Sequence, residues 1–407
     1  MPFAAFVAPY LLEASVRFVD SAARLPGVDL AVITAEPAGR LPAQLRESLV
    51  AHWRVEDALD PTQLVGAVRG LSEQAGRPVQ RLIGVLEQAQ VPIAQAQQAL
   101  GLPGLGAQAA VNFRDKNRMK DVLREAGIPV ARHRVATGPA DAFSFAREVG
   151  FPLVVKPLAG AGARSTYRFD DDEALRRWVE QSPPSPDDPV LVEEFLSGEE
   201  FTFDSVMVDG EVVWHSIARY LPGPLEVLHN PWMQWAVLLP AEISGDEFDD
   251  IRIIAPDALR TLGLRTGLSH LEWFRRPDGS LAISEVGARP PGAQLSSALG
   301  YAHDIDLYSA WPRLMLQDQF DVPRRNWAVG VVYLRGQGSG RVVALHGVDE
   351  LQSRFGHLVV EARLPSLGQA SSGTYEGEGF VIVRHGDTSV VVDAMRNIVS
   401  SLRVELG

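Results

Sequence analysis

Two strand-like runs and a tight turn make up Leu271-Glu-Trp-Phe-Arg-Arg-Pro-Asp-Gly-Ser-Leu-Ala-Ile-Ser-Glu285. Asp278-Gly279 is a strong hairpin signal, and a turn there places Glu272 directly opposite Glu285 on one face. A symmetric loop over residues 277–280 predicts the same pairing. Opposed side chains have Cβ atoms about 5 Å apart, where like charges destabilise a sheet. A cation between the two acids removes that conflict, and oxygen ligands at this spacing suit Mg²⁺ or Mn²⁺. In the alternative interpretation the hairpin is solvated, and its arginines neutralise the acids.

The composition limits the classes of protein to which the chain can belong. The chain has 407 residues, of which 46% are hydrophobic and 22% charged, enough for two to four domains with substantial cores. A net charge of −13 argues against nucleic acid or an anionic membrane as the main partner. The absence of cysteine excludes disulfides, zinc thiolates and thiol catalysis. No uncharged apolar run reaches the roughly 18 residues of a membrane span, so we expect a cytoplasmic enzyme.

Patterns along the chain predict an α/β and α+β multidomain protein. Apolar runs at residues 3–7 and 30–34 alternate with helical patterns at 11–24, 61–75 and 90–100, which predicts a parallel sheet. The Gly/Pro-rich residues 101–106 mark a boundary. We therefore predict an N-terminal α/β domain over 1–107, a central domain over 108–320 with a lid at about 130–195, and a β-rich domain over 321–407.

Two segments have features of a nucleotide site. In Val154-Val-Lys156-Pro-Leu-Ala-Gly160-Ala-Gly162 a lysine ends an apolar strand and small residues follow, which suits a polyphosphate. It lacks the Walker and Gly-x-Gly-x-x-Gly patterns, and a flexible surface loop is the alternative. In Val192-Glu-Glu-Phe-Leu-Ser-Gly-Glu-Glu200 acids flank a short linker that can clamp an adenosine. The alternative there is a cross-strand ion pair between Glu200 and Arg219.

Other residues suggest an acid substrate. Arg289 follows Glu285 by four residues, and its guanidinium can hold a carboxylate or a phosphoryl group bidentately. A surface ion pair is the alternative. The aromatic segment 219–235, with His229 and Trp232, is predicted to line a substrate pocket, or else to pack at a domain seam. His270 is either a site residue or a core histidine.

The motifs together resemble the ATP-grasp superfamily over roughly residues 1–345. They occur in the family's order: Arg114-Asp-Lys116-x-x-Met119, Lys156-Pro with its Gly-rich loop, Glu193-Glu-Phe-Leu-x-Gly-x-Glu200, His270-x-Glu272 and Glu285-x-x-x-Arg289-Pro-x-Gly292. The chain looks most similar to carboxylate–amine ligases, including L-amino-acid (dipeptide) ligases, with biotin-carboxylase-like relatives. The resemblance implies an ATP-grasp fold behind a Rossmann-like pre-ATP-grasp domain.

The resemblance also implies roles for these residues. The implied nucleotide contacts are Lys116, Lys156, Gly160, Gly162 and Ser165 at the phosphates, Glu193, Glu194, Phe195 and Leu196 at the adenine hinge, and Glu200 at the ribose. Glu272 and Glu285 would bridge two Mg²⁺ ions, and Arg289 would bind the substrate carboxylate and the acyl phosphate. His270, Gly292, His229 and Trp232 are further substrate candidates. Gly287 stands where the family often has Asn, so the second metal site lacks one usual ligand.

The resulting hypothesis is an ATP-dependent ligase that joins a small carboxylic acid to an amine through an acyl phosphate. One alternative is a carboxylase that uses carboxyphosphate, like biotin carboxylase or a purine-pathway enzyme. Another is a regulatory protein that binds nucleotide without turnover. A homodimer is an expectation from the family alone.

Overall fold

The computed structural model describes residues 1–160, 165–230 and 232–407. Its strands are β1 (Phe3–Val7), β2 (Asp29–Thr34), β3 (Ala51–Arg54), β4 (Arg81–Ile83), β5 (His133–Ala136), β6 (Leu153–Pro157), β7 (Tyr167–Phe169), β8 (Val190–Glu194), β9 (Glu199–Val208), β10 (Glu211–Leu221), β11 (Ala236–Leu239), β12 (Gly267–Arg275), β13 (Leu281–Gly287), β14 (Ala328–Leu334), β15 (Gly336–Gln337), β16 (Val342–His346), β17 (Val359–Arg363), β18 (Gly379–His385) and β19 (Arg403–Leu406). Its helices are α1 (Glu13–Ala23), α2 (Ala43–Ser48), α3 (Pro61–Ala75), α4 (Gln90–Leu100), α5 (Ala107–Arg114), α6 (Lys116–Glu125), α7 (Pro139–Val149), α8 (Asp172–Gln181), α9 (Pro224–His229), α10 (Asp249–Leu262), α11 (Leu295–His303), α12 (Leu307–Gln317), α13 (Val348–Phe355) and α14 (Thr388–Ser401).

The N-terminal region is a parallel sheet in the order β3-β2-β1-β4, as its alternating pattern predicts. Helix α3 illustrates how local sequence sets the bounds. Asp60 caps its first turn by accepting from Thr62 N at 2.7 Å, and Pro61 suits the first helical position. Gly76 ends it with a left-handed φ of 65°. The face with Leu64 and Leu71 is buried against the sheet.

A second sheet, in the order β5-β8-β6-β7, covers residues 133–194 and will be called the lid sheet. Its β8 lies between β5 and β6 and pairs antiparallel with both. Helices α7 and α8 pack on this sheet through Phe145, Leu175 and Val179. In the antiparallel pairing Lys156 lies opposite Leu191, two residues before Glu193, so the Lys156 and Glu193 side chains lie on the same face of the sheet.

The third sheet, called the long sheet, runs in the order β13-β12-β9-β10-β11-β14-β18-β17. Strands from beyond residue 320 extend it, because β14 pairs with β11 and β18 pairs with β14. The predicted boundary at residue 320 thus falls within the span of one sheet, and the division at that point stays a proposal. A small sheet, β15-β19-β16, lies near the C-terminus. Across the described residues, each helix is too short or too polar to cross a membrane.

Candidate active site

A cleft of about 1290 Å³ is lined by residues from the N-terminal, lid and long sheets. The predicted site residues that line it are Lys116, Lys156, Gly160, Ser165, Glu193, Glu194, Phe195, Leu196, Glu200, His270, Glu272, Glu285, Arg289 and Gly292. Gly162 lies outside the residues that the structure describes, as do the other residues between Gly160 and Ser165. The fold thus brings together motifs that are far apart in the chain.

The predicted pairing of Glu272 with Glu285 is confirmed, but the strands reach it by another route. The turn is a loop over residues 277–279, closed by a hydrogen bond from Arg276 N to Ser280 O at 2.8 Å. Gly279 supplies the left-handed φ of 84° that such a loop uses. A bulge beside Glu272 then shifts the register by one residue. The two deviations cancel, so the acids still face each other.

Glu272 lies next to His270, which is protonated. Tyr220 Oη donates to Glu272 Oε1 at 2.9 Å, and His270 Nε2 lies 3.5 Å from the same oxygen. His270 Nδ1 donates to Asp204 Oδ1 at 2.7 Å. Burial lowers the pKa of His270, but the carboxylates of Asp204 and Glu272 outweigh it and raise the pKa to about 10. His270 is therefore an imidazolium, and its positive charge stabilises the carboxylates of Asp204 and Glu272.

Glu285 is neutralised by a lysine. Lys116 Nζ donates to Glu285 Oε1 at 2.8 Å and to Gly160 O at 3.0 Å. Burial raises the pKa of Glu285, but Lys116 and then Lys156 and Lys120 outweigh it and lower the pKa to about 2. Glu285 is thus ionised throughout the physiological range, as a metal ligand or a lysine partner needs to be.

Two further lysines share Glu193. Lys156 Nζ lies 2.9 Å from Glu193 Oε2, and Lys120 Nζ lies 3.5 Å from Oε1, an ion pair without a close hydrogen bond. Burial raises the pKa of Glu193, but Lys120 and Lys156 outweigh it and lower the pKa. The Glu193 side chain therefore neutralises Lys120 and Lys156, and the hinge role of Glu193 stays a prediction.

Lys120 is a site residue that the sequence analysis missed. It is fully buried, and its Nζ donates to Ser284 O at 2.5 Å, next to Glu285. Burial lowers the pKa of Lys120 to about 8, against the pull of Glu193. A signal was present, because Lys116 and Lys120 are four residues apart and share one face of α6.

The predicted alternative for Glu200, an ion pair with Arg219, is wrong. A bulge between Val212 and Trp214 shifts the hairpin by one residue, so Arg219 faces Phe201 and binds Glu199 instead. Glu200 lines the cleft, and burial, followed by the charge of Glu272, raises its pKa well above the usual range. Glu200 is therefore free of the predicted structural partner, and its ribose role stays a prediction.

The predicted hinge follows β8. The Glu194 carboxylate binds Arg132 Nε at 2.7 Å and Arg276 Nη2 at 2.9 Å, and these residues also line a smaller pocket of about 600 Å³. Phe195 N donates to Pro152 O at 3.2 Å. Glu194 thus ties the lid sheet to the β12–β13 hairpin with its side chain.

Arg289 has an unexpected partner, Glu87. Arg289 Nε donates to Glu87 Oε2 at 3.1 Å, Nη2 donates to the same oxygen, and Arg114 Nη1 donates to Oε1 at 2.8 Å. The predicted alternative for Arg289, a surface ion pair, is wrong because its side chain is buried in the cleft at 17% exposure. Glu87 was missed, since no local motif marks it, although it follows the end of β4, where parallel sheets place ligand sites.

The predicted substrate residues His229 and Trp232 do not line the cleft in the part of the chain that the structure describes. Helix α9 ends at His229, and Trp232 is 64% exposed. Trp235, from the same segment, does line the cleft and is 1% exposed. It packs edge-on against Tyr375, from the segment before β18, with ring centroids 4.6 Å apart. The aromatic wall therefore lies further along the segment than predicted.

The residues present fit a divalent cation. Within residues 1–160, 165–230 and 232–407, no group of three or more His, Asp or Glu side chains has the arrangement of a complete metal site. Mg²⁺ commonly binds through one or two carboxylates and completes its shell with phosphate oxygens and water. Glu272 and Glu285 supply those two carboxylates, and Gly287 next to them supplies no side-chain ligand.

Comparison with known families identifies the fold. The model of the phosphoribosylglycinamide synthetase ATP-grasp (A) domain matches residues 114–219. The whole chain also superimposes on the crystal structure of an L-amino acid ligase from Bacillus licheniformis, with a TM-score of 0.78 and 20% identity, covering 100% of this chain and 99% of that one. Residues 114–219 thus match an ATP-grasp domain, and the chain as a whole has the fold of that ligase. This result agrees with the resemblance in the sequence motifs.

The chain is also similar to two further proteins. It is 22% identical to the L-arginine-specific L-amino acid ligase of Bacillus subtilis over 273 residues, which is 64% of each chain. The match thus spans less than two thirds of that relative. N5-carboxyaminoimidazole ribonucleotide synthetase from Thermotoga maritima aligns over all of both chains, with a TM-score of 0.72 and 18% identity.

The segment matched by the family model contains part of the predicted site. Lys116, Lys156, Glu193 and Glu200 lie within residues 114–219. The carboxylate pair, Arg289 and Glu87 lie outside it. The residues predicted to bind nucleotide therefore lie within the matched segment, whereas the acids and arginines of the other side of the cleft are brought there by the fold.

Proposed function

We propose that this protein joins a carboxylic acid to an amine at the expense of ATP, through an acyl phosphate, with release of ADP and phosphate. One observation carries the proposal: Lys116, Lys156, the pair Glu272–Glu285 and Arg289 line a single cleft. Cations for phosphates, anions for a metal and a guanidinium for a carboxylate are the components that phosphoryl transfer to an acid requires.

The lysines and acids of the cleft neutralise one another before ATP binds. Lys116 is paired with Glu285 and Lys156 with Glu193. We infer that the phosphates take over both lysines, while Glu272 and Glu285 hold Mg²⁺ or Mn²⁺. The bound cation would offset negative charge on the phosphates during transfer.

The proposed reaction depends on the positioning of the substrates and uses no covalent nucleophile from the enzyme. A carboxylate oxygen of the acid, held by Arg289, attacks the γ-phosphorus of ATP, and the bond to the ADP oxygen breaks. The amine then attacks the acyl carbon, phosphate leaves, and the nitrogen loses a proton. Arg289 stabilises the charge that develops on the acyl oxygen, and the closed cleft excludes water that would hydrolyse the acyl phosphate.

The substrate class we propose is amino acids and other small carboxylic acids, with an amino acid as amine. The names of the two L-amino acid ligases among the relatives support this class. Trp235 and Tyr375 form an aromatic wall of the cleft, and we infer from it that one substrate has an apolar or flat group.

The test is ADP release with Mg²⁺ and a panel of single and paired amino acids, with mass spectrometry of the products. We predict amide formation in the wild type and a loss of at least about 100-fold in kcat for Glu285→Gln, since the variant removes a metal carboxylate. Glu148→Gln, which removes an acid from a surface ion pair with Arg134, is the matched control and should keep full activity.

Other outcomes would point to the alternatives. ADP release that depends on bicarbonate and needs no amine would identify a carboxylase. Nucleotide binding without turnover across the panel would identify a regulatory protein. Unchanged turnover in Glu285→Gln would refute the metal assignment.

We also retain as proposals the domain bounds at 107 and 320, a homodimer, and a location in the cytoplasm. Gel filtration with light scattering tests the homodimer, and limited proteolysis tests the bounds.

A further inference from the structure

Glu87 is a buried acid to which the reaction above assigns no role. It begins the 3₁₀ turn Glu87–Ala89, between β4 and α4. Its side chain is 12% exposed and lines the cleft. The N-terminal region thus contributes a negative charge to a cleft in which Lys116 comes from α6, Lys156 from the lid sheet and the Glu272–Glu285 pair from the long sheet.

Each oxygen of Glu87 binds a different arginine, as described above for Arg114 and Arg289. The third nitrogen of Arg289, Nη1, donates to Pro290 O at 2.9 Å. All three guanidinium nitrogens of Arg289 therefore have acceptors. A buried guanidinium is costly to leave without a partner, so Glu87 fixes the direction in which Arg289 points.

The carboxylate pair is the competing partner for Arg289. The side chain of Arg289 runs beside Gly287, where an added Cβ would lie 3.7 Å from Arg289 Cγ. Gly287 is on β13, two residues after Glu285. Burial lowers the pKa of Arg289, but Glu87 first, and then Glu285 and Glu272, outweigh it and raise the pKa. Arg289 is therefore bound to Glu87 and at the same time attracted by the charges of Glu285 and Glu272.

We propose that Glu87 is a positioning residue that holds Arg289 toward the substrate and keeps it off Glu272 and Glu285. This inference rests on the proposed function, in which Arg289 holds the substrate carboxylate and the two glutamates hold the divalent cation. Without the charge of Glu87, Arg289 turns to the glutamates and competes with the divalent cation. The same movement withdraws the guanidinium from the acyl group.

Glu87→Gln tests the proposal, because it keeps the size of the side chain and removes the charge. Binding of Mn²⁺ to the protein with ADP is followed by electron paramagnetic resonance. We expect the Mn²⁺ affinity to fall about tenfold, as when a group that supports a metal ligand is changed. In the active enzyme, kcat should fall more than the KM for ATP rises. A merely structural role would lower the melting temperature and leave the Mn²⁺ affinity unchanged.

Two matched variants sharpen the result. Glu87→Asp keeps the charge and should restore most of the Mn²⁺ affinity. Glu36→Gln removes an acid of the same N-terminal region from its surface ion pair with Arg40 and should change nothing. Wild-type Mn²⁺ affinity in Glu87→Gln would overturn the proposal.

The decisive comparison is made in the Arg289→Met variant, because this variant lacks the guanidinium through which Glu87 is proposed to act. There, adding Glu87→Gln should leave the Mn²⁺ affinity unchanged, whereas an equal tenfold loss would refute the mechanism. This comparison also decides the question if Glu87→Gln alone does not fold. Because it needs ADP and Mn²⁺ but no turnover, it remains valid if the wild type forms no amide. That separate result would refute the ligase function.

Discussion

Gly287 shows how one position tunes the proposed metal site. It lies two residues after Glu285, where the ATP-grasp family often has Asn. An added Cβ would lie 3.7 Å from Arg289 Cγ and 3.9 Å from His270 O, which are ordinary contacts. The backbone therefore accepts a side chain at this position without strain.

We predict that Gly287→Asn lowers the Mg²⁺ concentration for half-maximal activity by roughly 3–10-fold, because it adds an oxygen ligand beside Glu285. The measurement is ADP release across a Mg²⁺ titration. Gly287→Ala, which adds the Cβ without the amide, should titrate like the wild type. A higher Mg²⁺ requirement for Asn than for Ala would contradict the prediction.

At the level of single residues, prediction from sequence succeeded for partners that are close together in the chain and failed for partners that are far apart. A strand, a turn and a strand bring Glu272 to Glu285, so a short stretch sufficed. Glu87 and Arg289 are 202 residues apart in the chain. Only the packing of the N-terminal sheet against the long sheet joins them, and no propensity or spacing encodes that contact.

At the level of elements, two β-bulges decided which register predictions held. The bulge beside Glu272 offsets a turn that differs from the predicted one, so that pairing was correct. The bulge between Val212 and Trp214 has nothing to offset it, so the pairing of Glu200 with Arg219 was wrong. A bulge adds one residue to one strand and leaves the alternation pattern readable on both sides. Pairing arithmetic from the sequence therefore carries an error of one residue.

Helix α11 ends in a histidine that makes the fold sensitive to acid. His303 is buried, and Trp214 Nε1 donates to its Nδ1 at 3.3 Å. Burial first, and then the charge of Arg325, lower the pKa of His303 to about 3, against the opposing effect of a hydrogen bond with the Arg324 backbone. Its pKa in the unfolded chain is about 6.5. The neutral form is thus the one that the fold accepts.

We predict that His303 contributes stability that is fully present above about pH 6.5 and is lost as the pH falls toward 3. The unfolded chain binds a proton in that window and the folded chain does not. The melting temperature of the wild type should therefore drop between neutral pH and about pH 4.5 by a few degrees more than that of His303→Gln. Parallel curves for the two proteins would show that another group causes the acid sensitivity.

At the level of the whole molecule, the C-terminal region completes a cleft that other regions begin. The long sheet continues through β14 and β18, and the segment before β18 carries Tyr375 to the cleft. There Tyr375 packs on Trp235, which in turn stacks on Tyr333 with ring centroids 4.4 Å apart. Three distant parts of the chain thus build one aromatic wall, and it can be disturbed without touching the nucleotide residues.

We predict that Tyr375→Leu raises the KM for the organic substrate that contacts this wall by about fivefold, since an aromatic contact contributes roughly 1 kcal/mol. ADP affinity, measured by calorimetry, should stay unchanged, because Lys116 and Lys156, the lysines proposed to bind the phosphates, lie on α6 and β6. Tyr167→Leu is the matched control, since Tyr167 packs on Trp178 in the lid sheet, with ring centroids 6.2 Å apart, and does not line the cleft in the described part of the chain. If Tyr375→Leu weakened ADP binding as much as substrate binding, the wall would belong to the nucleotide site and its assignment to the substrate would be wrong.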